Sequence, residues 1–158
     1  MKKILIGILG LTLLTQLSCI KQKGVTEDEI YTIINQIISD DSIRFGNLNN
    51  KFSDIRFSEA CIKEIEKKDL SFILDQKKKN KGIFIKDKYL KEFWPRDKQY
   101  HLIRLDSTSN NCISIPLISA DRNKILIEIL TAGQGATYIY VRINNKWLRK
   151  SSFDSWII

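Results

Sequence analysis

Apolar positions along this chain follow three successive patterns. Met1-Lys2-Lys3 leads into an apolar run, Ile4–Leu14, broken only by Gly7, Gly10 and Thr12. From Thr26 the spacing becomes helical: Ile30, Ile33, Ile34, Ile37 and Ile38 recur at steps of three and four and mark one face. Thr26-Glu27-Asp28-Glu29 forms a capping box ahead of that face, and its carboxylates suit the positive end of the helix dipole. The pattern predicts a helix from residue 27 to about 39, ended by Ser39-Asp40-Asp41-Ser42. A second helix is predicted from a Ser58 cap through Ile65, and a third from Asp69, stopped by Gly82. Between the first two, Asn47, Asn49 and Asn50 read as loop, while Phe45, Leu48, Phe52 and Phe57 pack it down. Ile83–Ile85 fits a strand or a turn, and Lys88–Trp94 a helical segment that must end near Pro95.

Beyond residue 100 the period falls to two. His101–Leu105 and Ile113–Ile118 read as strands. In Lys124–Leu130, Ile125, Ile127 and Ile129 alternate with Leu126, Glu128 and Leu130; in Thr137–Ile143, Tyr138 and Tyr140 alternate with Ile139 and Val141. Asn144-Asn145 supplies a two-residue hairpin turn, since Asn tolerates positive φ, and Lys146–Ser151 returns as the next strand. Asp121-Arg122-Asn123 makes another turn. The predicted fold class is α+β: N-terminal helices covering one face of a C-terminal antiparallel β-meander of about four strands, in one domain over residues 26–158.

The opening run has a different use. A positive start and an 11-residue apolar core fit a secretory signal and fall short of the roughly 20 residues of a membrane span. Leu17-Ser18-Cys19 follows the run, with the small Ser18 directly before the cysteine. This stretch resembles the signal of bacterial lipoproteins, although Leu17 stands one place later than the usual leucine and Gln16 occupies an aliphatic position. The resemblance implies cleavage before Cys19, acylation (palmitate included) of that residue, and a lipid-anchored location on a periplasmic face or the outer membrane. Ordinary signal cleavage is disfavoured, because Gln16 and Ser18 make a poor small-x-small site. The chain then divides into a signal, 1–18, a lipidated cysteine with a short tether, 19–25, and the folded body.

Without residues 1–18 the chain carries 24 Lys and Arg (26 less Lys2 and Lys3) against 18 Asp and Glu. Residues 77–98 hold nine basic and three acidic side chains, which is the whole excess. A lysine-rich stretch is first a solvated face. Its functional reading is a patch for anionic lipid headgroups, built from Lys77, Lys78, Lys79, Lys81, Lys86, Lys88 and Lys91, each worth about 1 kcal/mol near an anionic surface. Nucleic acid is not an expected partner, since no aromatic stacking pattern accompanies the charge. With Cys19 acylated, Cys61 and Cys112 allow one disulfide; the competing reading makes Cys61 a small core residue. With a single histidine, His101, and no CxxC, no metal or other cofactor is expected.

Catalytic candidates are thin. Ala132-Gly133-Gln134-Gly135-Ala136 is glycine-rich, but strands on both sides make it a hairpin loop rather than a phosphate cradle. Asp121 and Glu128 are the carboxylates of the meander; nothing in their spacing brings them together, Asp121 reads as a turn residue and Glu128 as exposed. Ser114 and Ser119 lack a nucleophile elbow, which leaves a set such as Ser119, His101 and Asp106 without support. Trp94, Trp147, Trp156, Tyr138 and Tyr140 are either core packing or a binding face. Pro116-Leu117-Ile118-Ser119-Ala120-Asp121, the glycine-containing hairpin, Asn144-Asn145-Lys146-Trp147 and the terminal Trp156 resemble small uncharacterised lipoproteins of flavobacteria and other Bacteroidetes over residues 110–158. That resemblance implies no activity. The expectation is a membrane-anchored, non-catalytic binding module of the cell envelope, its partners the bilayer through Cys19 and either anionic lipid or an envelope protein. The alternatives are an immunity- or inhibitor-type lipoprotein and, lower, an envelope hydrolase.

Overall fold

The computed structural model describes residues 25–40, 47–80, 82–86, 90, 104–131 and 133–157, the side chains of Asp40, Trp156 and Ile157 excepted. The fold is α+β. Among the described residues three helices, α1 (Glu27–Asp40), α2 (Glu59–Glu64) and α3 (Lys67–Lys79), precede most of the sheet. A two-residue parallel pair, β1 (Asn47–Leu48) with β2 (Arg104–Leu105), stands apart from it. The main sheet is antiparallel and five-stranded: β3 (Cys112–Ile113), β5 (Lys124–Thr131), β6 (Gln134–Ile143) and β7 (Lys146–Ile157) in that order, with β4 (Leu117–Ile118) also on β5.

The expected single strand 113–118 is two short ones. Ile113 stands opposite Ile129 but Leu117 opposite Leu126, so four steps on one side meet three on the other. The extra residue falls at Ile115-Pro116, where proline has no N–H to give the ladder. The Asn144-Asn145 turn forms as anticipated, with φ of 50° and 62°. Thr131 pairs directly with Gln134, so the glycine-rich stretch is a tight hairpin whose Gly133 takes φ 88°. Strand β7 runs six residues past the expected Ser151, to Ile157. A register shift there leaves Asp154 at φ 55°. Its carboxylate accepts the N–H of Ser58, whose own hydroxyl caps α2 through Cys61 N–H at 3.1 Å.

Both faces of the sheet are covered, where the sequence pattern suggested one. Ile113, Ile125, Ile127, Ile129 and Tyr140 form one core with Tyr31, Ile33, Ile34, Ile37 and Ile38 of α1 and with Trp147. The alternate positions Leu126 and Ile139, with Leu117, form a second core with Ile55, Cys61, Ile65 and Ile73. Side chains alternate across a strand, so α1 lies on one face and α2 with α3 on the other. Each fully buried Ile or Leu contributes roughly 1.5–3 kcal/mol of transfer free energy, which makes the two cores the main source of stability.

Helix α3 seals an edge. Its buried positions are Asp69, Ile73 and Gln76, one face of the helix. Gln76 acts as a strand residue would: its amide NH2 donates to Ile118 C=O at 2.7 Å, and its Oε1 accepts Ile118 N–H at 3.1 Å. Asp69 accepts Ala120 N–H at 3.0 Å. The open side of β4 is thereby closed with side chains instead of backbone, which blocks pairing by another chain.

Candidate functional site

The most unusual side chain on the sheet is Glu128. Its backbone is fixed on both sides: Thr137 is its partner across β6, and Ser114 donates its N–H to Glu128 C=O at 2.9 Å while Ser114 Oγ accepts Glu128 N–H at 2.8 Å. Its side chain faces away from Ile127, as expected. It is not exposed, however, but buried at 2% exposure. The correction follows from the second layer. The segment 53–57 crosses this face: Ser53 pairs with Ser114, Ser53 N–H donates to Ile113 C=O, and Thr137 Oγ1 donates to Arg56 C=O at 3.2 Å.

Burial raises the Glu128 carboxyl from its ordinary pKa. Contact with Ser53, and then the charge and N–H of Arg56, pull it partly back, while Asp54 pushes it further up. Ser53 Oγ itself is buried without a hydrogen bond of good geometry, so its contact with the carboxyl is a loose one. The group is biased toward its neutral form, in which it can donate a hydrogen bond as well as accept one.

A cleft opens beside it. One lobe of about 310 Å³ is bounded by Glu128, Leu130, Arg56 and Lys77. A second of about 220 Å³ reaches Ser114, Asn80, Gly82 and Leu117. Ser53, Asp54, Ile55 and Lys77 line both. Lys77 forms their common wall, its ammonium 3.8 Å from Asp54 Oδ1 and 5.0 Å from the centre of the Phe57 ring. The cleft therefore offers a buried carboxyl with a raised pKa, an ammonium, two hydroxyls and an amide on an apolar floor. That is the composition of a site for a small polar molecule. A buried, pKa-shifted carboxyl in a concavity is a recurrent mark of such sites.

The other sequence candidates lie elsewhere. Asp121 closes the turn before β5, accepting Ser119 Oγ–H at 2.6 Å and Asn123 N–H at 3.1 Å, and the Ser119 contact holds its carboxyl below the ordinary value. The acid that Ser119 meets is thus Asp121. Asp106 instead accepts the N–H and hydroxyl of Thr108 and the amide of Asn47, which lower its pKa. His101, Trp94, Cys19, Lys81, Lys88, Lys91 and the predicted helix 88–94, Leu90 excepted, lie outside the described residues. Tyr138, Tyr140 and Trp147 pack in or against the α1-side core. They do not form an open aromatic face.

Both described cysteines are free thiols, not a bridged pair. Cys61 sits in α2 at 0% exposure, its pKa pushed up to about 11 by burial and by Asp154 and Glu64. Cys112 lies half-buried on β3, raised by burial and by Glu128. The two therefore occupy a helix and a sheet edge. Among the described residues no cluster of His, Cys, Asp and Glu suits a metal ion, and no helix is long and apolar enough to cross a membrane.

In the lysine patch, Lys77 meets Asp54, Lys79 meets Asp75 at 2.6 Å and Lys86 meets Glu27 at 2.6 Å. Part of its charge is thus offset locally. Sequence reasoning missed Glu128, Ser53 and Lys77 as a group. The available signal was the apolar character of both sides of β5 and β6, which marks a sheet buried on both faces and a glutamate inside it. Comparison with protein-family models, curated proteins and solved structures found no match to this chain.

Proposed function

We propose that this chain is a lipid-tethered, non-catalytic binding module of a bacterial cell envelope. The location rests on the Lys2-Lys3 start, the apolar run and Leu17-Ser18-Cys19. The binding role is carried by one observation: Glu128, buried at 2% exposure, stands at the wall of a cleft shared with Lys77, Asp54 and Ser53. Burying a carboxyl costs stability, and a fold indifferent to ligand would replace it with leucine at little loss. The chemistry on offer suits a small molecule with amine or hydroxyl donors for Glu128 and an acceptor for Lys77.

The test is a melting-temperature screen of the purified protein against amines, amino acids and saccharides. A rise with one class, lost in Glu128→Gln and in Lys77→Met, supports the reading. Cross-linking in the native envelope to one protein partner, unaffected by either substitution, would replace it with the inhibitor-type alternative. Location is tested by Cys19→Ser, which should leave the membrane fraction.

A further inference from the structure

Two large apolar side chains stand out on one loop. Ile83 is 39% exposed and Phe84 54%, side by side after the Gly82 turn. Nothing local requires them there. Phe84 makes an isolated bridge with Lys51, whose ammonium lies 5.0 Å from the ring centre. The base of the loop, in contrast, is firmly held: Ile85 is buried, its N–H donates to Asn50 C=O at 2.9 Å, and Phe52 N–H donates to Ile83 C=O at 3.1 Å. The apolar pair is presented by a fixed frame.

The place of that frame is informative. Lys86 Nζ lies 2.6 Å from Glu27 Oε1, and Lys86 N–H donates to Tyr31 Oη at 2.6 Å. The loop therefore sits at the N-terminal end of α1, the point from which residues 20–24 lead back to Cys19. Val25 is already packed against the core. From Cys19 to Val25 the chain can span at most about 20 Å. Whatever surface holds Cys19 faces this end of the molecule.

We propose that the Ile83–Phe84 loop is a membrane-docking tip that inserts into the headgroup layer of a bilayer bearing anionic lipid, next to the acylated Cys19. The inference rests on the lipid-tether reading and extends it, giving the body a fixed orientation on the membrane. The pieces are those of an interfacial anchor: apolar side chains to enter the acyl boundary and cations to meet phosphate groups. Lys51 flanks the tip and Lys78 ends α3 just before it, together with Lys79 and Lys86, which are shared with Asp75 and Glu27. Docking lets the Lys51 ammonium, 5.0 Å from the centre of the Phe84 ring, reach the headgroups while Phe84 enters the acyl boundary.

The full chain, made with its own N-terminal segment and purified from the membrane, is reconstituted into vesicles whose acyl chains carry bromine, which quenches nearby tryptophan. Phe84→Trp is compared with Ile62→Trp, an exposed site on α2 on the opposite face of the sheet; Ile83→Trp serves as the second tip variant. Mass spectrometry of the mature N-terminus is read on the same samples. With an acylated Cys19, the emission added at Phe84 or Ile83 should be lost to quenching and that at Ile62 retained. The loss should be larger with phosphatidylglycerol present than with phosphatidylcholine alone. Acylation with equal quenching at tip and control overturns the docking tip and leaves the tether standing. Equal quenching in both lipids removes the anionic requirement and with it the proposal as stated. An unmodified Cys19 overturns the tether and the docking geometry together.

Discussion

The two faces of one sheet are built to different rules. On the α1 face, isoleucines from β3 and β5 meet isoleucines from α1 in a mainly apolar core, its polar groups on α1 being the Tyr31 hydroxyl, which accepts the Lys86 N–H, and the buried Asn35. On the other face the same strands carry Leu126 and Ile139, but also Glu128, Thr137 and Ser114, beneath a segment of irregular chain and two helices docked by Gln76, Asp69 and Asp154. Apolar packing is non-directional and tolerates sliding. A polar layer works only where each partner sits at hydrogen-bond distance. Both faces contribute stability through their cores, and the second adds fixed polar geometry, including the cleft.

Three experiments would break or sharpen that contrast. The largest effect is expected from paired truncations of adjacent layers. Ile127→Ala, at 0% exposure in the α1-side core, should cost about 2–5 kcal/mol. Leu130→Ala, which only widens a lobe already open, should cost well under half as much. Equal shifts in the urea midpoint would mean that the second face is packed as tightly as the first. Next is Gln76→Leu, which preserves bulk and leaves the N–H and C=O of Ile118 without their partner. The loss should be about 2 kcal/mol, in line with about 1–3 kcal/mol for a buried polar group left unsatisfied. A neutral result would show that β4 is held by its apolar contacts alone.

The smallest effect is a slope. Glu128 has a raised folded-state pKa, so between its unfolded and folded values the native state holds the extra proton. Stability then falls as pH rises through that window. Glu128→Gln removes the titration. The variant should gain on the parent protein as pH climbs from about 4.5 (the ordinary glutamate range) toward neutrality. The check is the melting temperature of both proteins at several pH values; a difference that stays constant with pH would mean that Glu128 is solvated.

Much of this was legible in the residues. The Thr26 cap and the isoleucine spacing marked α1 within one residue of its end, because capping and periodicity are local. The Asn144-Asn145 turn was equally plain, since few residues take positive φ twice running. Pro116 stands within an otherwise strand-like pattern, and only the register against β5 turns it into a break. The second covering layer was harder: whether Leu126 and Leu130 meet helix or water depends on where residues 53–79 travel, which no local pattern states. The site suffers from the same limit. Glu128 is remote in sequence from Ser53, Arg56 and Lys77, and only the crossing of segment 53–57 over the sheet unites them.

The order of the elements has a consequence for when the chain can fold. Strands β5, β6 and β7 are sequence neighbours joined by tight turns, so their contacts are local and quick to form. The apolar face of α1, in contrast, finds its partners Ile125, Ile127 and Ile129 near the opposite end of the polypeptide. Until those residues have been synthesised, the emerging N-terminal half has no sheet to close upon. If residues 1–18 act as the export signal proposed above, this ordering serves as a timer: the N-terminal segment can engage a translocation machinery while the body behind it is still unable to fold.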